Sequence, residues 1–241
     1  MRHDDLRERV CAANLSLPTH GLVRLTWGNV SEFDREDEIV AIKPSGVPYD
    51  RMTPADMVLL RLDGTVVAGD LRPSSDTPTH LAIYRAFDEV SGVVHTHSTH
   101  ATALCQVRRE LPCLGTTHAD HFAGTVPLTR QLTPAEVAEA YEANTGRVIV
   151  EAFADRGLSP THVPAVLVAG HGPFTWGTDG QDAVHNAVAL DACAEMTLLT
   201  GQAERDLPPL EPHLLDKHHT RKHGPRATYG QADPHTSGAP R

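Results

Sequence analysis

Apolar positions recur along the chain with two different periods. Leu6, Val10, Ala13 and Leu17 follow helical spacing, and Gly21 marks a stop just beyond. From Leu22 to Lys43 short β-rich stretches alternate with polar breaks, which predicts strands around a turn, and Pro44-Ser45-Gly46-Val47-Pro48 reads as a loop. Thr53-Pro54 opens a short helix, and Leu62 to Val67 forms a hairpin about Asp63-Gly64. Thr77-Pro78 reads as an N-cap with proline in the first helical position, leading into a helix that buries Leu81, Tyr84 and Phe87. Val93 to His97 is a short strand. Thr133-Pro134-Ala135-Glu136 is a capping box opening a long helix, with Gly146 as its expected interruption. Val166 to Ala169 is an apolar strand ending at Gly170-His171-Gly172, and the clearest helix follows Thr178-Asp179, burying positions such as Val184, Val188, Ala194 and Leu198.

The chain has 241 residues, enough for a single large α/β domain over 1–231, with the Pro-, Gly-, Ser- and Thr-containing 232–241 expected to form a disordered tail. A formal net charge of -10, from 31 acidic and 21 basic side chains, argues against a nucleic-acid partner. A small anionic substrate remains compatible, because the field inside a pocket can oppose the net charge. Cys11, Cys105, Cys113 and Cys193 contain no C-x-x-C pair and read as reduced core thiols. With no apolar segment behind the charged N-terminus and no run long enough to span a bilayer, the expected location is the cytoplasm, with no membrane partner.

Candidate chemistry centres on His95-Thr96-His97. Side chains two apart on a strand share a face, so both imidazoles can reach one point, and neutral imidazole is a favoured ligand of zinc and similar divalent ions. His171, at a glycine-flanked strand end, is a third candidate ligand, and Asp76 offers an oxygen from the start of a helix. With 16 histidines in the chain, the competing reading of an incidental H-x-H stands beside the metal reading. His213, His218, His219 and His223 lie in a polar, basic segment and read as solvated or substrate-facing, His185 as a helix-surface residue. His100, His118 and His121 read as structural or as supports for the site.

Three small-residue turns could cradle a phosphate: Trp27-Gly28-Asn29, Lys43-Pro44-Ser45-Gly46 and Ser74-Ser75. Each presents backbone N–H groups or hydroxyls, Lys43 adds a cation, and Ser74-Ser75 lies beside a helix N-terminus. Taken singly each is only a turn. Neither a dinucleotide fingerprint nor a P-loop occurs.

These blocks together resemble the L-ribulose-5-phosphate 4-epimerase family of the class II aldolase and adducin superfamily. The resemblance runs collinearly from about Leu6 to Gln231 through Leu25 to Ser31, Ile42 to Val47, Pro73 to His80 and Val94 to Ser98. It continues through Gly115 to Asp120, His171 to Phe174, Asp182 to Asn186, Leu215 to His218 and Arg221 to Gly224. It implies a three-layer class II aldolase-like α/β fold, with a central, largely antiparallel sheet flanked by helices, assembled as a homotetramer with active sites at subunit interfaces. It further implies zinc, or another divalent metal, on Asp76, His95, His97 and His171, and phosphate contacts from Gly28, Asn29, Ser45, Gly46, Ser74 and Ser75, with Lys43 near the substrate. The implied acid/base residues are Asp120 and Tyr229, reaching in from a neighbouring subunit. The chain departs from the family pattern at His121-Phe122-Ala123 and at Thr228 before Tyr229.

The implied reaction is interconversion of L-ribulose 5-phosphate and D-xylulose 5-phosphate, as in arabinose catabolism. C4 is β to the C2 ketone, so its proton is not acidified, whereas breaking C3–C4 leaves electrons on C3 that delocalise into the carbonyl. Retro-aldol cleavage and re-addition with the aldehyde turned over inverts C4, and a metal suits this route as a Lewis acid. The competing readings are a class II aldolase that releases its products, in which a glutamate is expected near position 76, and a non-catalytic adducin-like assembly module, which needs no intact metal site.

Overall fold

The computed structural model describes residues 3–204, 206–224 and 227. Helix α1 (Asp4–Thr19) leads into an antiparallel hairpin of β1 (Asn29–Asp34) and β2 (Ile39–Ile42). Two single 3-10 turns, the second opened by the Thr53/Asp56 capping box, precede a second hairpin of β3 (Val58–Leu60) and β4 (Val66–Ala68) around Asp63-Gly64. Then follow α2 (Thr77–Ala86), β5 (Gly92–His95), α3 (Thr99–Val107), the short α4 (Thr116–Ala119) and α5 (Pro134–Ala154). Strands β6 (Ala165–Leu167) and β7 (Pro173–Gly177) and helices α6 (Gly180–Ala203) and α7 (Pro212–His223) complete the described order.

The strands form one seven-stranded sheet in the order β4-β3-β2-β1-β5-β7-β6, every neighbouring pair antiparallel. Strand alternation sends its side chains to two separate apolar layers. Val30, Ala41, Leu59 and Val94 face α1 and the first half of α6. Phe33, Ile42, Val58, Leu60 and Val93 face a larger core built with α2, α3, α5 and the second half of α6. Both faces are therefore covered, which makes the sheet the middle of three layers. This is the expected class II aldolase-like α/β arrangement, and its sheet is antiparallel throughout.

Several boundaries differ from those the residue pattern predicts. Helix α2 begins at Thr77, so Asp76 holds the cap position and Pro78 the second turn-forming position. The Thr77 hydroxyl donates back to the Ser74 carbonyl, and the Asp76 carboxylate caps no helical amide. Strand β5 ends at His95, leaving His97 in the segment that follows. Gly146 does not interrupt α5; a Cβ there would lie 2.5 Å from Ala82 Cβ, so glycine is needed for α2 and α5 to approach. The irregular residue is instead Ala140, with φ -161° and ψ 78°. The Ala165–Leu167 strand begins one residue earlier and ends two earlier than expected. Cys11, Cys105, Cys113 and Cys193 are buried free thiols, as expected. Tyr229 and the 232–241 segment lie outside the described residues.

Candidate metal centre and phosphate cradle

The sheet register brings distant residues to one end of the molecule. Asn29, first in β1, pairs with His95, last in β5, and His95 in turn pairs with Phe174 of β7. The turn between β6 and β7 thus delivers His171 beside His95, with ring centroids 4.8 Å apart. His97 joins them from beyond the strand, its Nε2 3.1 Å from His95 Nε2 and its ring 5.1 Å from that of His171. Ligand atoms of His95, His97 and His171 all lie within 4.8 Å of one another. His95 is buried and stacks on Phe174 at 4.2 Å, while its Nδ1–H donates to the Pro173 carbonyl at 2.9 Å. A carbonyl can only accept, so this bond places the proton on Nδ1 and leaves Nε2 a lone pair aimed at the cluster.

The electrostatics keep this donor set in its ligating form. Burial, followed by the neighbouring His95 and His97, pushes the His171 pKa down to about 4. Burial and His95 likewise lower that of His97. Both rings are neutral near pH 7, the state a cation requires. Asp76 lines the same cavity. Its burial works to raise its pKa, but the neighbouring imidazoles and a 2.6 Å hydrogen bond from Asn29 Nδ2 outweigh that and hold it below the ordinary carboxylate range. Three convergent imidazoles with an adjacent ionised carboxylate match the nitrogen and oxygen donors of a divalent cation. A second grouping, His3 with Asp34 and Asp37, lies at the start of α1, where His3 pairs with Asp37 at 3.2 Å and Asp34 accepts the backbone amides of Glu36 and Asp37.

The cradle residues surround the cluster. Gly28, Asn29, Lys43, Ser45, Gly46, Ser74, Ser75, Asp76, His95, His97 and His171 line one cavity of about 520 Å3. Gly28 has φ 79°, and a Cβ there would meet the His95 carbonyl oxygen at 2.9 Å, so this turn requires glycine. The Tyr49 hydroxyl holds the same turn by donating to the Trp27 and Gly28 carbonyls at 2.8 and 2.9 Å. Lys43 is only 2% exposed; its ammonium donates to the Pro44 carbonyl and lies 5.0 Å from the centre of the Tyr49 ring. Burial lowers its pKa and Asp76 opposes the shift. Backbone bonds from Ser74 N to the Lys43 carbonyl and from Ser45 N to the Arg72 carbonyl tie the two serine turns together.

Five further residues, Thr26, Trp27, Pro44, Tyr141 and Glu142, line the cavity and were not among the expected site residues. Trp27 lies within a block already singled out as a turn. Tyr141 and Glu142 enter from α5 at the Ala140 break, for which the residue pattern holds no signal.

Asp120 is absent from the lining of this cavity. It follows α4, where Arg221 of α7 grips both its carboxylate oxygens at 3.0 and 2.6 Å and His218 Nδ1 lies 3.0 Å from Oδ1. Burial works to raise the Asp120 pKa, but these two partners outweigh it and leave the carboxyl below the usual range. His223 bonds the Asp120 backbone carbonyl, and Lys222 approaches His121 at 3.1 Å. The basic C-terminal histidines thus divide: His213 is exposed, while His218 and His223 engage Asp120 and its backbone. His118 donates to the Gly124 carbonyl, His100 pairs with Asp191, and His185 is exposed on α6.

The model of the class II aldolase and adducin N-terminal domain matches residues 8–198. The chain therefore belongs to the class II aldolase and adducin family, within it to the L-ribulose-5-phosphate 4-epimerases. It is 52% identical over 226 residues to the L-ribulose-5-phosphate 4-epimerase UlaF of Salmonella paratyphi C (strain RKS4594), covering 94% of this chain and 98% of that one. The same identity and coverage hold for the protein of that name from Salmonella typhi. Among solved structures, an L-fuculose 1-phosphate aldolase superposes with a TM-score of 0.74 at 25% identity, over 89% of this chain and 94% of that one. YgbL of Klebsiella pneumoniae, at 24% identity, shares the fold with a TM-score of 0.72 over 90% of this chain and 99% of that one. Among the described residues no helix is long and apolar enough to cross a membrane.

Proposed function

We propose that this chain is a metal-dependent L-ribulose-5-phosphate 4-epimerase, yielding D-xylulose 5-phosphate by reversible C3–C4 cleavage. The observation that carries the reading is the meeting of a three-imidazole cluster, Asp76 and the three-turn cradle in one cavity. The 52% identity to proteins bearing the epimerase name selects the reaction, against 25% for the aldolase structure. An aspartate at position 76 also favours the epimerase over the aldolase reading, in which a glutamate is expected there.

His95, His97, His171 and Asp76 would hold the cation, for which zinc suits the donor set. When bound, it supplies Lewis-acid stabilisation of negative charge on the substrate carbonyl oxygen. The chain's own residues do the rest. Gly28, Asn29, Ser45, Gly46, Ser74 and Ser75 present donors to the phosphate, with buried Lys43 as a counter-charge. A base takes the C4 hydroxyl proton as C3–C4 breaks, giving glycolaldehyde phosphate and the enediolate of dihydroxyacetone. The cradle tethers the aldehyde while it turns, and re-addition to its other face inverts C4 as an acid returns the proton. Asp120 and Tyr229 fill these two roles from a neighbouring subunit. Support for the inter-subunit arrangement is that Asp120 lies outside the cavity of its own chain.

The accompanying reading is a cytoplasmic homotetramer whose single domain spans 1–231, acting in pentose catabolism and binding no nucleic acid. Incubating the protein with L-ribulose 5-phosphate, with and without a chelator, and following D-xylulose 5-phosphate tests the reaction and its metal dependence together. Absence of conversion by zinc-loaded protein overturns the epimerase reading; conversion that survives complete metal removal overturns the metal dependence. Net release of an aldehyde from a 1-phosphorylated deoxy sugar would favour the aldolase instead.

A further inference from the structure

Helix α5 breaks at Ala140, and the break is built rather than frayed. Two side chains serve carbonyls on either side of it: Asn144 Nδ2 donates to the Glu136 carbonyl at 2.8 Å, and Thr79 of α2 donates to the Glu142 carbonyl at 2.7 Å. Alanine is the best helix former, so nothing intrinsic to Ala140 favours its extended conformation. What the break achieves is delivery of Tyr141 to the cavity wall, where its hydroxyl lies 3.3 Å from His171 Nδ1 and its ring 5.8 Å from the imidazole.

His95 has a fixed tautomer because Pro173 accepts from its Nδ1. His171 sits in a turn, and its Nδ1 has the Tyr141 oxygen as its neighbour. We propose that Tyr141 is a positioning residue for the metal cluster: its hydroxyl oxygen accepts Nδ1–H of His171, fixes the ring, and leaves Nε2 as the ligating lone pair. The proposal rests on the metal reading of the cluster and extends it to a residue outside the ligand set. Partners of this kind, which orient a ligating imidazole through its second nitrogen, commonly govern metal affinity.

The test is a double-mutant cycle on zinc affinity, read by competition with a chromophoric chelator after metal stripping. Tyr141→Phe keeps the ring and removes only the acceptor. It is expected to weaken zinc binding by about 10–100-fold, to shift the visible absorption of the cobalt(II)-loaded protein, and to leave the melting temperature of the metal-free form unchanged. In a His171→Ala background the same change should have no further effect on affinity, because the bond it removes is already gone. Unaltered zinc affinity and cobalt spectrum in Tyr141→Phe overturn the proposal. So does a loss of affinity that persists undiminished in the His171→Ala background, which also covers a variant whose fold is perturbed. Wild-type protein that binds no divalent metal overturns the metal reading as well, and so is distinguishable from failure of the Tyr141 assignment alone.

Discussion

Asn29 donates one side-chain amide group to two partners, the Asp76 carboxylate at 2.6 Å and the Ser74 hydroxyl at 3.0 Å. Asn29 opens β1, Asp76 precedes α2, and Ser74 belongs to the proposed cradle, so a single amide joins the proposed metal corner of the cavity to the proposed phosphate corner. The same donation helps keep Asp76 ionised.

Replacing that amide by a carboxylate should uncouple the two corners. In Asn29→Asp the donor is lost and a like charge faces Asp76, which raises the pKa of one of the pair. A hydrogen bond to a charged group is worth about 1.5–3 kcal/mol, so kcat/KM and zinc affinity should each fall by about 10–100-fold. Steady-state kinetics on L-ribulose 5-phosphate and chelator competition measure both. Values within twofold of wild type would show that Asn29 does not link the sites.

Gly28 is the position where the proposed cradle meets the backbone of His95, a proposed metal ligand. A methyl group there would lie 2.8 Å from Val23 Cγ1 and 2.9 Å from the His95 carbonyl oxygen, on a residue with φ 79°. Gly28→Ala therefore combines left-handed strain with overpacking, and should destabilise the protein by about 2 kcal/mol or more. The denaturation midpoint in urea reads this directly. Activity should fall further than stability alone dictates, because the displaced carbonyl belongs to His95, one of the proposed metal ligands. A variant with wild-type midpoint and activity would show that the turn yields without cost.

Which parts of this site could be read from residues follows from how each is positioned. His95 and His97 are two apart, and their convergence is local even though His97 lies past the end of β5. His171 was marked by its flanking glycines, and the sheet register then places it. The three cradle turns were visible as turns, but their meeting depends on the long-range bonds between Ser74 and Lys43 and between Ser45 and Arg72. Tyr141 could not be found this way. Gly146 was the intrinsically weak point of α5, yet the break falls at Ala140, where Asn144 and Thr79 support freed carbonyls. Tertiary contacts outweighed propensity. The Arg221 grip on Asp120 was equally invisible, since 101 residues separate the partners.

Acid stability should report the buried imidazoles away from the cavity mouth. Burial pushes the His118 pKa down to about 4, against partial opposition from its bond to the Gly124 carbonyl, and burial pushes that of His80 down to about 3. An unfolded histidine titrates near 6.5, so between about pH 6.5 and 4 the unfolded chain binds more protons than the native one. Stability present above pH 6.5 is therefore lost as the pH falls, by about 1.4 kcal/mol per pH unit for each such group. Urea titrations of the metal-free protein from pH 7 to pH 4.5 should show this slope, and His118→Gln should reduce it by the contribution of one group. An unchanged slope in that variant would mean that His118 is not the neutral buried group described.

Arg221 should set the acid limb of the reaction. Its guanidinium grips both oxygens of Asp120, and together with His218 it outweighs the effect of burial and holds the carboxyl below its ordinary value. A depressed carboxyl is ionised above its pKa and loses that state as the pH falls through it. If Asp120 acts as a base, the acid limb of kcat/KM lies at this lowered value in the wild type. Arg221→Met removes the opposing charge and leaves the burial, so the limb should move to higher pH. At pH 8, where Asp120 is ionised in both proteins, the loss of activity should be smaller than at pH 5. A parallel loss at every pH would instead assign Arg221 a purely structural role in seating α7 against α4.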